Sequence, residues 1–384
     1  MIEKIYNAFL EKYNGNPVLV QSPGRINLIG EHTDYNDGLV LPAAINKYIF
    51  FAVAKNNTEM VNVFSYDFND SISFSINDIK RSDTSWVNYI IGVINEIQKS
   101  GKEINGFNLV FGGDIPIGAG LSSSAALETG LAFVLNDIFD LALSSFDIVK
   151  LSQKAENNFV GVNCGIMDQY AVVYGKENNV FRIDCRSLEH QYFPFKSTEY
   201  QLLLCNSNVK HSLVESQYNN RRKQCEIGVE ILQKHYPSIR KLRDVSVDML
   251  LKHEKEFDAD VFAKCSYVVE ENTRVIKACK ALNNDDIKSF GSYMYQTHEG
   301  LSVKYNVSCK ELDFLVDFTK EYEEVYGSRM MGGGFGGCTL NIIRKDFKDK
   351  FIELLSGKYK NEFNIDVDFY DIDIVDGTKY CSLQ

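Results

Sequence analysis

A polar segment between Ser22 and Gly38 concentrates side chains that bind hydroxyl groups. Its sequence is S-P-G-R-I-N-L-I-G-E-H-T-D-Y-N-D-G. The carboxylates and the imidazole accept hydrogen bonds from hydroxyl groups, and the arginine supplies a fixed positive charge. Glycines and a proline favour turns, so we predict a loop-rich polar cluster that binds a ligand with several hydroxyls. A solvated turn capped by Asp and Asn is the alternative that composition leaves open.

A second segment, Gly112–Ala125, places glycines and serines at the start of a predicted helix. Glycine lets backbone N–H groups approach an anion closely, and the free N–H groups and dipole of a helix start favour negative charge. The three serines add hydroxyls that can meet phosphate oxygens or a metal. The segment therefore predicts an anion site, with an ordinary helix N-cap as the alternative.

A third segment, Met330–Gly337, has five glycines in the six positions from Gly332 onward. Such a run destabilises regular structure, so it indicates either close backbone approach or a mobile hinge. The sequence does not decide between the two.

The common nucleotide-binding motifs do not account for these segments. The chain has no G-x-x-x-x-G-K-[ST] window and no H-R-D or D-F-G triplet. Gly332, Gly334 and Gly337 match G-x-G-x-x-G, but a dinucleotide site needs a helix after this motif. The residues that follow, Cys338–Ile343, predict a strand, so we reject a dinucleotide site.

Composition narrows the class of protein. In 384 residues, 41 Lys and Arg stand against 52 Asp and Glu, which gives a net charge of −11. This balance argues against a nucleic-acid or anionic-membrane partner. Nine scattered cysteines without a C-x-x-C pair indicate reduced thiols rather than a disulfide framework. With no signal-peptide pattern at the N-terminus and no apolar run long enough to span a bilayer, we expect a cytoplasmic protein.

Strand and helix patterns predict the elements that position the three segments. We predict strands at 18–20, 48–53, 61–65, 107–111, 179–184, 200–206 and 339–343, an alternating pattern at 367–370, and helices at 86–97, 121–138, 146–159, over most of 212–325 and briefly after 343. The length of 384 residues exceeds what one hydrophobic core usually supports. We therefore predict two domains, an N-terminal lobe over 1–200 and a C-terminal lobe over 201–384.

Taken in order, the segments resemble the GHMP small-molecule kinases and, within them, the galactokinase family. The stretch Gly24–Asp34 is similar to the galactokinase signature, and Gly118–Ala125 is similar to the phosphate loop of the superfamily. Further similar stretches are 155–157, 163–169, 184–188, 218–222, 271–275 and 307–313. The resemblance implies a mixed α/β and α+β fold with two lobes, an α/β N-terminal lobe and an α+β C-terminal lobe. The active site would lie in the cleft between them.

The resemblance also implies a reaction in galactose metabolism, transfer of the ATP γ-phosphoryl group to the anomeric hydroxyl of galactose. Asp168 would be the catalytic base, with Arg25 beside it to stabilise negative charge. The sugar-binding residues would be Glu31, His32, Thr33, Asp34 and Tyr218. The nucleotide-binding residues would be Ser65, Gly118, Ala119, Gly120, Leu121, Ser122, Ser123 and Ser124. Mg²⁺ would be held by Ser124 and Glu156, a hydroxyl and a carboxylate that suit a hard cation.

Some assignments stay open at this point. Trp86 and Tyr89 would either line an adenine pocket or belong to the core. Met331 stands where many family members have Thr, so a hydroxyl is lost there. A kinase for a related sugar, such as N-acetylgalactosamine or arabinose, is one rival function. A sensor that binds galactose and ATP without transfer is another, although the complete phosphate loop, Arg25 and Asp168 favour an enzyme.

Overall fold

The structure is a computed structural model that describes residues 1–116, 118–209 and 214–383. Its helices are α1 (Ile2–Lys12), α2 (Ser85–Lys99), α3 (Ser123–Ile138), α4 (Ser145–Lys154), α5 (Met167–Tyr174), α6 (Val214–Gln233), α7 (Val247–Lys252), α8 (Ala259–Asn283), α9 (Ile287–Glu299), α10 (Lys310–Thr319) and α11 (Lys348–Phe363). Short 3-10 turns lie at 34–36, 242–244 and 254–256, and π-helical turns at 155–160 and 300–304.

The strands are β1 (Val18–Asn27), β2 (Leu39–Val40), β3 (Pro42–Lys55), β4 (Met60–Ser65), β5 (Asp70–Ser75), β6 (Phe107–Gly113), β7 (Asn179–Asp184), β8 (His190–Pro194), β9 (Tyr200–Asn206), β10 (Val325–Met330), β11 (Cys338–Arg344), β12 (Asp368–Ile372) and β13 (Lys379–Tyr380). Among the described residues they form three sheets, with strand orders β13-β1-β3-β6-β4-β5, β10-β11-β9-β12 and β2-β7-β8. Every pair is antiparallel except β4 with β6.

The first sheet has apolar residues on both faces. In β3, Phe51 and Val53 belong to the largest buried cluster, whereas Ala52 packs with Ile5 and Phe9 of α1. Successive side chains of a strand point to opposite faces, so the continuous apolar run of β3 places one set against α1 and the other against α3. The sheet is thereby covered on both sides, and the ends of its strands carry the loops of the site.

The predicted elements are largely confirmed, with three corrections. Ser22–Asn27 was predicted as part of a loop but extends β1, where it pairs with β3 across a register shift at Pro23 and Gly24. The helix predicted over 146–159 ends as an α-helix at Lys154 and continues as a π-helical turn. The short helix predicted after 343 is α11, which spans 16 residues.

The division near residue 200 stays a prediction. The four-stranded sheet begins with β9 at Tyr200, but β13 at the end of the chain returns to pair with β1. The largest buried cluster also crosses the division, because it includes Phe51 and Leu131 together with Leu204 and Leu340. The two halves therefore share a hydrophobic core. Within the described residues, no helix combines the length and the apolar character needed to cross a bilayer.

The contact between α9 and β10 is made backbone to backbone through two glycines. A methyl group added at Gly291 would overlap the carbonyl oxygen of Tyr326. A methyl group added at Gly327 would overlap the Cα atom of Gly291. By contrast, Gly357 in α11 has open space around it. Residue size therefore limits how closely α9 approaches the second sheet.

We predict that Gly291→Ala lowers the free energy of unfolding by about 1–3 kcal/mol, because the added methyl forces helix and strand apart. The matched control Gly357→Ala should raise it by about 0.5–1 kcal/mol, since alanine favours a helix interior more than glycine does. Urea unfolding followed by circular dichroism measures both. Equal effects of the two substitutions would contradict the proposed contact.

Candidate active site

A cavity of about 170 Å³ lies where the loop after β1 meets α5, α6 and the glycine run. Its lining consists of Arg25, Glu31, His32, Asp34, Glu156, Val162, Cys164, Gly165, Met167, Asp168, Tyr218, Gly332 and Gly333. It thus brings together the predicted catalytic pair, three of the predicted sugar-binding residues of the first segment, Tyr218 and Glu156. These residues are far apart in sequence and meet only in the folded chain.

Arg25 and Asp168 form a two-point ion pair at this cavity. Arg25 Nε donates to Asp168 Oδ1 at 2.8 Å, and Nη2 donates to Oδ2 at 2.7 Å. The third arm, Nη1, donates to the carbonyl oxygen of Gly120 at 2.6 Å. Asp168 also accepts a short hydrogen bond from Ser122 Oγ, and it sits in the first turn of α5, where the helix dipole favours a negative charge. The pair thus fixes a carboxylate beside the predicted phosphate loop.

Glu31 forms a second ion pair, with a residue that sequence reasoning missed. Arg329 Nη2 lies 2.6 Å from Glu31 Oε1, and both side chains are almost fully buried. Asn27 Nδ2 donates to Glu31 Oε2 at 2.9 Å, and the Gly332 N–H donates to Oε1 at 2.7 Å. The carboxylate of Glu31 is therefore held rigidly, and it joins the first segment to the glycine run.

His32 lies in an aromatic cluster. Its Nδ1 is 2.8 Å from the hydroxyl of Tyr35, which is 2.7 Å from the hydroxyl of Tyr305. The rings of Tyr218 and Tyr305 lie 5.4 and 4.8 Å from the imidazole ring. Burial lowers the pKa of His32 to about 4, so the imidazole is neutral at neutral pH. A neutral imidazole can both donate and accept a hydrogen bond.

Asp34 approaches the chain closely at Gly165. A methyl group at Gly165 would overlap the carboxylate of Asp34, so a larger residue there would displace it. Burial and the neighbouring charge of Asp168 raise the pKa of Asp34 to about 7. Near neutral pH this carboxyl can therefore act as donor or acceptor toward a hydroxyl.

Thr33 does not line the cavity, so its part in sugar binding stays a prediction. Its hydroxyl lies 2.8 Å from the carbonyl oxygen of Gly30 and 2.7 Å from that of Leu39. Both contacts are buried and close the loop on itself. Thr33 therefore shapes the segment that carries its neighbours.

Helix α8 holds this loop from the other half of the chain. Glu271 accepts from the Gly30 N–H at 2.8 Å, and Asn272 Oδ1 accepts from the Leu39 N–H at 2.8 Å. The hydroxyl of Tyr267 donates to the carbonyl oxygen of Glu31 at 3.1 Å. The loop thus depends on partners more than 230 residues later in the chain.

The predicted phosphate loop, Gly118–Ser124, leads into α3, which starts at Ser123. Gly118 and Gly120 have φ of 79° and 76°, and Ser122 has φ of 55°. Glycine adopts this left-handed conformation readily, whereas other residues do so rarely. The loop is therefore a tight, irregular turn that leads into a helix start, as an anion site requires.

The glycine run packs directly against this loop. A methyl at Gly332 would meet the carbonyl oxygen of Gly120 at 3.2 Å, and one at Gly337 would meet Ala119 at 3.3 Å. The run therefore serves close backbone approach, one of the two alternatives that the sequence left open. Met331, in place of Thr, is buried in the main apolar cluster and does not line the cavity.

Ser124 and Glu156 lie next to each other, as the metal prediction requires. The Ser124 hydroxyl hydrogen-bonds the Glu156 carboxylate, which also accepts from Gln169 Nε2 at 2.7 Å. Burial, followed by the charge of Asp168, raises the pKa of Glu156 to about 7. A hydroxyl and a carboxylate are hard oxygen donors of the kind that Mg²⁺ prefers, so the residues present fit this ion.

Glu128 of α3 is a further acidic residue that the sequence analysis missed. It is fully buried, lies 3.5 Å from Gln169 Nε2, and its Oε1 has no hydrogen-bond partner among the described residues. Burial and the charge of Glu156 raise its pKa well above the ordinary value. The signal was present, because Glu128 is the one charged residue in the otherwise largely apolar stretch 125–135 of α3. Arg329 is likewise a lone cation in a buried strand.

Ser65 and the two aromatic residues of α2 lie outside the cavity lining. Ser65 ends β4 and is buried, and its hydroxyl has no hydrogen-bond partner within the described ranges. Trp86 is buried between Phe68 and Phe111, and Tyr89 packs against the main cluster. The structure thus gives both aromatic residues a place in the core, and their role toward a nucleotide stays a prediction.

Family profiles match three parts of the chain. The N-terminal domain of the GHMP kinases matches residues 88–176, and their C-terminal domain matches residues 277–360. The galactose-binding signature of galactokinases matches residues 7–55, which contain Arg25 and the polar segment.

Individual relatives are similar over nearly the whole chain. The galactokinase of Clostridium acetobutylicum is 41% identical over 381 residues, covering 98% of this chain and 97% of that protein. That of Thermosipho africanus is 42% identical over 359 residues, covering 93% and 98%. The crystal structure of Lactococcus lactis galactokinase complexed with galactose superposes with a TM-score of 0.95 at 32% identity, covering 99% of each chain.

Proposed function

The chain belongs to the galactokinase family of the GHMP kinases and phosphorylates galactose with ATP, and we propose that the Arg25–Asp168 pair performs this transfer at the anomeric hydroxyl. The observation that carries the proposal is the position of this pair. It faces the cavity and is bonded to Ser122 and Gly120 of the phosphate loop. A proton acceptor for a hydroxyl thus stands next to the place for the phosphoryl group.

In this mechanism Asp168 takes the proton of the anomeric hydroxyl as that oxygen attacks the γ-phosphorus, while the bond from the γ-phosphorus to the β,γ-bridging oxygen breaks and ADP leaves. Arg25 orients the Asp168 carboxylate through its two hydrogen bonds. Its positive charge also stabilises negative charge that develops on the attacking oxygen. The hydrogen bond from Ser122 restricts Asp168 further, so that little movement is needed at the moment of transfer.

The sugar would be bound by Glu31, His32, Asp34 and Tyr218. Glu31 accepts hydrogen bonds in a fixed position, because Arg329 and Gly332 hold it. Neutral His32 and the half-protonated Asp34 supply both donors and acceptors. A site built from such groups penalises a sugar that leaves one of them unpaired by about 1–3 kcal/mol.

The triphosphate of ATP would lie on the loop Gly118–Ser124 at the start of α3. Backbone N–H groups of the turn and the helix start favour its negative charge. Ser124 and Glu156 would hold Mg²⁺, which when bound neutralises charge on the phosphate oxygens. Gln169 Nε2 donates to the carboxylates of both Glu156 and Glu128, which helps to hold Glu156 in position.

The proposal is tested by a coupled assay of ADP release over galactose, glucose, arabinose and N-acetylgalactosamine. We expect kcat/KM for galactose to exceed that for glucose by at least about 10- to 100-fold, because glucose presents one hydroxyl in the wrong orientation. A higher kcat/KM for N-acetylgalactosamine would overturn the sugar assignment. Binding of galactose and ATP without ADP release would instead identify a sensor.

We predict that Asp168→Asn lowers kcat by about 10²- to 10⁴-fold, because an amide of the same shape cannot take the proton. Binding of galactose and ATP, measured by calorimetry, should change little, since Arg25 and the loop stay in place. Asp34→Asn is the comparison: it should act mainly on KM for galactose. Retention of more than half of the wild-type kcat by Asp168→Asn would refute the base.

Glu156 should make metal use depend on pH. Its pKa of about 7 means that it carries a proton below neutrality, and a protonated carboxyl cannot bind a cation. The Mg²⁺ concentration for half-maximal rate should therefore rise as pH falls from 8 to 6, by up to about tenfold per unit below the pKa. The same dependence measured in Glu156→Gln accounts for protonation of ATP itself, and identical profiles would contradict the assignment.

The raised pKa of Glu156 also affects the stability of the folded protein when no metal is bound. The folded state keeps this proton up to about pH 7, whereas the unfolded chain releases it near the ordinary value of 4.5. The folded state therefore binds more protons between these values, and the contribution of Glu156 to stability is lost as pH rises through them.

A further inference from the structure

A cluster of two histidines and a glutamate lies outside the cavity, on the helical part of the chain. His235 follows the end of α6, His253 ends α7, and Glu256 belongs to the 3-10 turn that comes next. None of the three lines the catalytic cavity. The function proposed above uses none of them.

The three side chains already face one another. His235 Nε2 lies 2.8 Å from Glu256 Oε2, and His253 Nδ1 lies 2.8 Å from Glu256 Oε1. The two imidazole rings stack with centroids 3.9 Å apart at an angle of 22°. One donor atom from each residue lies within 4.8 Å of the other two. An ion between them would need only small side-chain movements.

The backbone holds this arrangement in place. The N–H of His235 donates to the carbonyl of Leu232, and the N–H of His253 donates to that of Leu250. The N–H of Glu256 donates in turn to the carbonyl of His253 at 2.9 Å. The three side chains therefore project from helix ends and a hydrogen-bonded turn, and their relative positions are set before any ligand binds.

One further atom supports a ligand here. His253 Nε2 is buried and has no hydrogen-bond partner in the part of the chain that the structure describes. Buried polar atoms are normally paired, so this ring gains from turning toward a ligand. The ring of Tyr236 packs edge-on against the His253 imidazole, with the ring centroids 5.5 Å apart.

We propose that His235, His253 and Glu256 form a binding site for a transition-metal dication such as Zn²⁺. Two imidazole nitrogens and one carboxylate oxygen are donors that suit Zn²⁺, Co²⁺ and Ni²⁺, whereas Mg²⁺ takes oxygen donors. Bound there, the ion would join the end of α6 to the segment between α7 and α8. Leu232 of α6 and Leu250 of α7 share a buried cluster with Tyr35 and Tyr305, so this ion would brace the helices behind the sugar-binding loop.

The test is calorimetric titration of the full chain with Zn²⁺ alone, without ATP or Mg²⁺. We expect one equivalent that binds in the wild type and raises Tm. Zn²⁺ affinity should fall by at least about 100-fold in each of the variants His235→Gln, His253→Gln and Glu256→Gln. Even residues that only hydrogen-bond a metal ligand contribute about 10- to 100-fold to metal affinity. Circular dichroism checks that each variant is folded.

Two controls separate this site from other metal ligands. Glu254→Gln changes an exposed acid in the same turn, and His190→Gln changes a histidine elsewhere, so both should bind like the wild type. With Co²⁺ bound, the absorption spectrum should lack the strong near-ultraviolet band that thiolate ligands give. The absence of this band would exclude the cysteines as ligands. The proposal is overturned if Zn²⁺ does not bind or if all three ligand variants bind Zn²⁺ like the wild type. It is also overturned if binding of one equivalent of Co²⁺ produces a thiolate band.

Discussion

The two-point ion pair between Arg25 and Asp168 organises the cavity of the candidate active site. Arg25 belongs to the central sheet, Asp168 to the first turn of α5, and the remaining arm of Arg25 reaches the phosphate loop at Gly120. One guanidinium therefore sets the distance between three elements. Its side chain is 6% exposed and that of Asp168 is 23% exposed, so the pair is largely shielded from water. The packing of these elements and the position of the Asp168 carboxylate consequently depend on the same contact.

A second constraint is the close approach of backbone to backbone at the glycine run. Gly332 and Gly337 lie against the phosphate loop, and the Gly332 N–H also binds Glu31. The run thus connects the parts of the site that we propose to bind the sugar and the nucleotide. Side chains in its place would separate them, because a methyl at either glycine would meet backbone atoms. Together with the contacts from α8, this makes the cavity a product of both halves of the chain.

The cavity also gathers more acids than bases. Arg25 and Arg329 face Glu31, Asp34, Glu156 and Asp168, with Glu128 buried behind them. Burial and mutual repulsion raise the pKa of Asp34 and Glu156 to about 7. A polyphosphate approaching such a cluster is repelled, and a divalent cation bound there would offset this repulsion. Because these two pKa values lie near 7, the charge of the cavity changes with pH near neutrality.

The sequence by itself determined the elements and the chemistry. Periodic apolar runs predicted most helices and strands, and the polar, serine-rich and glycine-rich segments marked Arg25, the phosphate loop and the run at 332–337 as unusual. Resemblance to a family then implied roles for Asp168 and Glu156, which composition could not, and these roles stay predictions. The predictions of helices and strands succeed because side-chain periodicity and turn-forming residues act locally.

Only the tertiary structure decided which of these residues meet. It turned Thr33 away from the cavity to close its own loop, and it added Arg329 and Glu128, whose partners lie far away in sequence. It also showed that the glycine run packs closely rather than bending freely, and that a shared core crosses residue 200. Local patterns carry no information on such pairings, because a buried charge is defined by the atoms that surround it, and those come from distant parts of the chain.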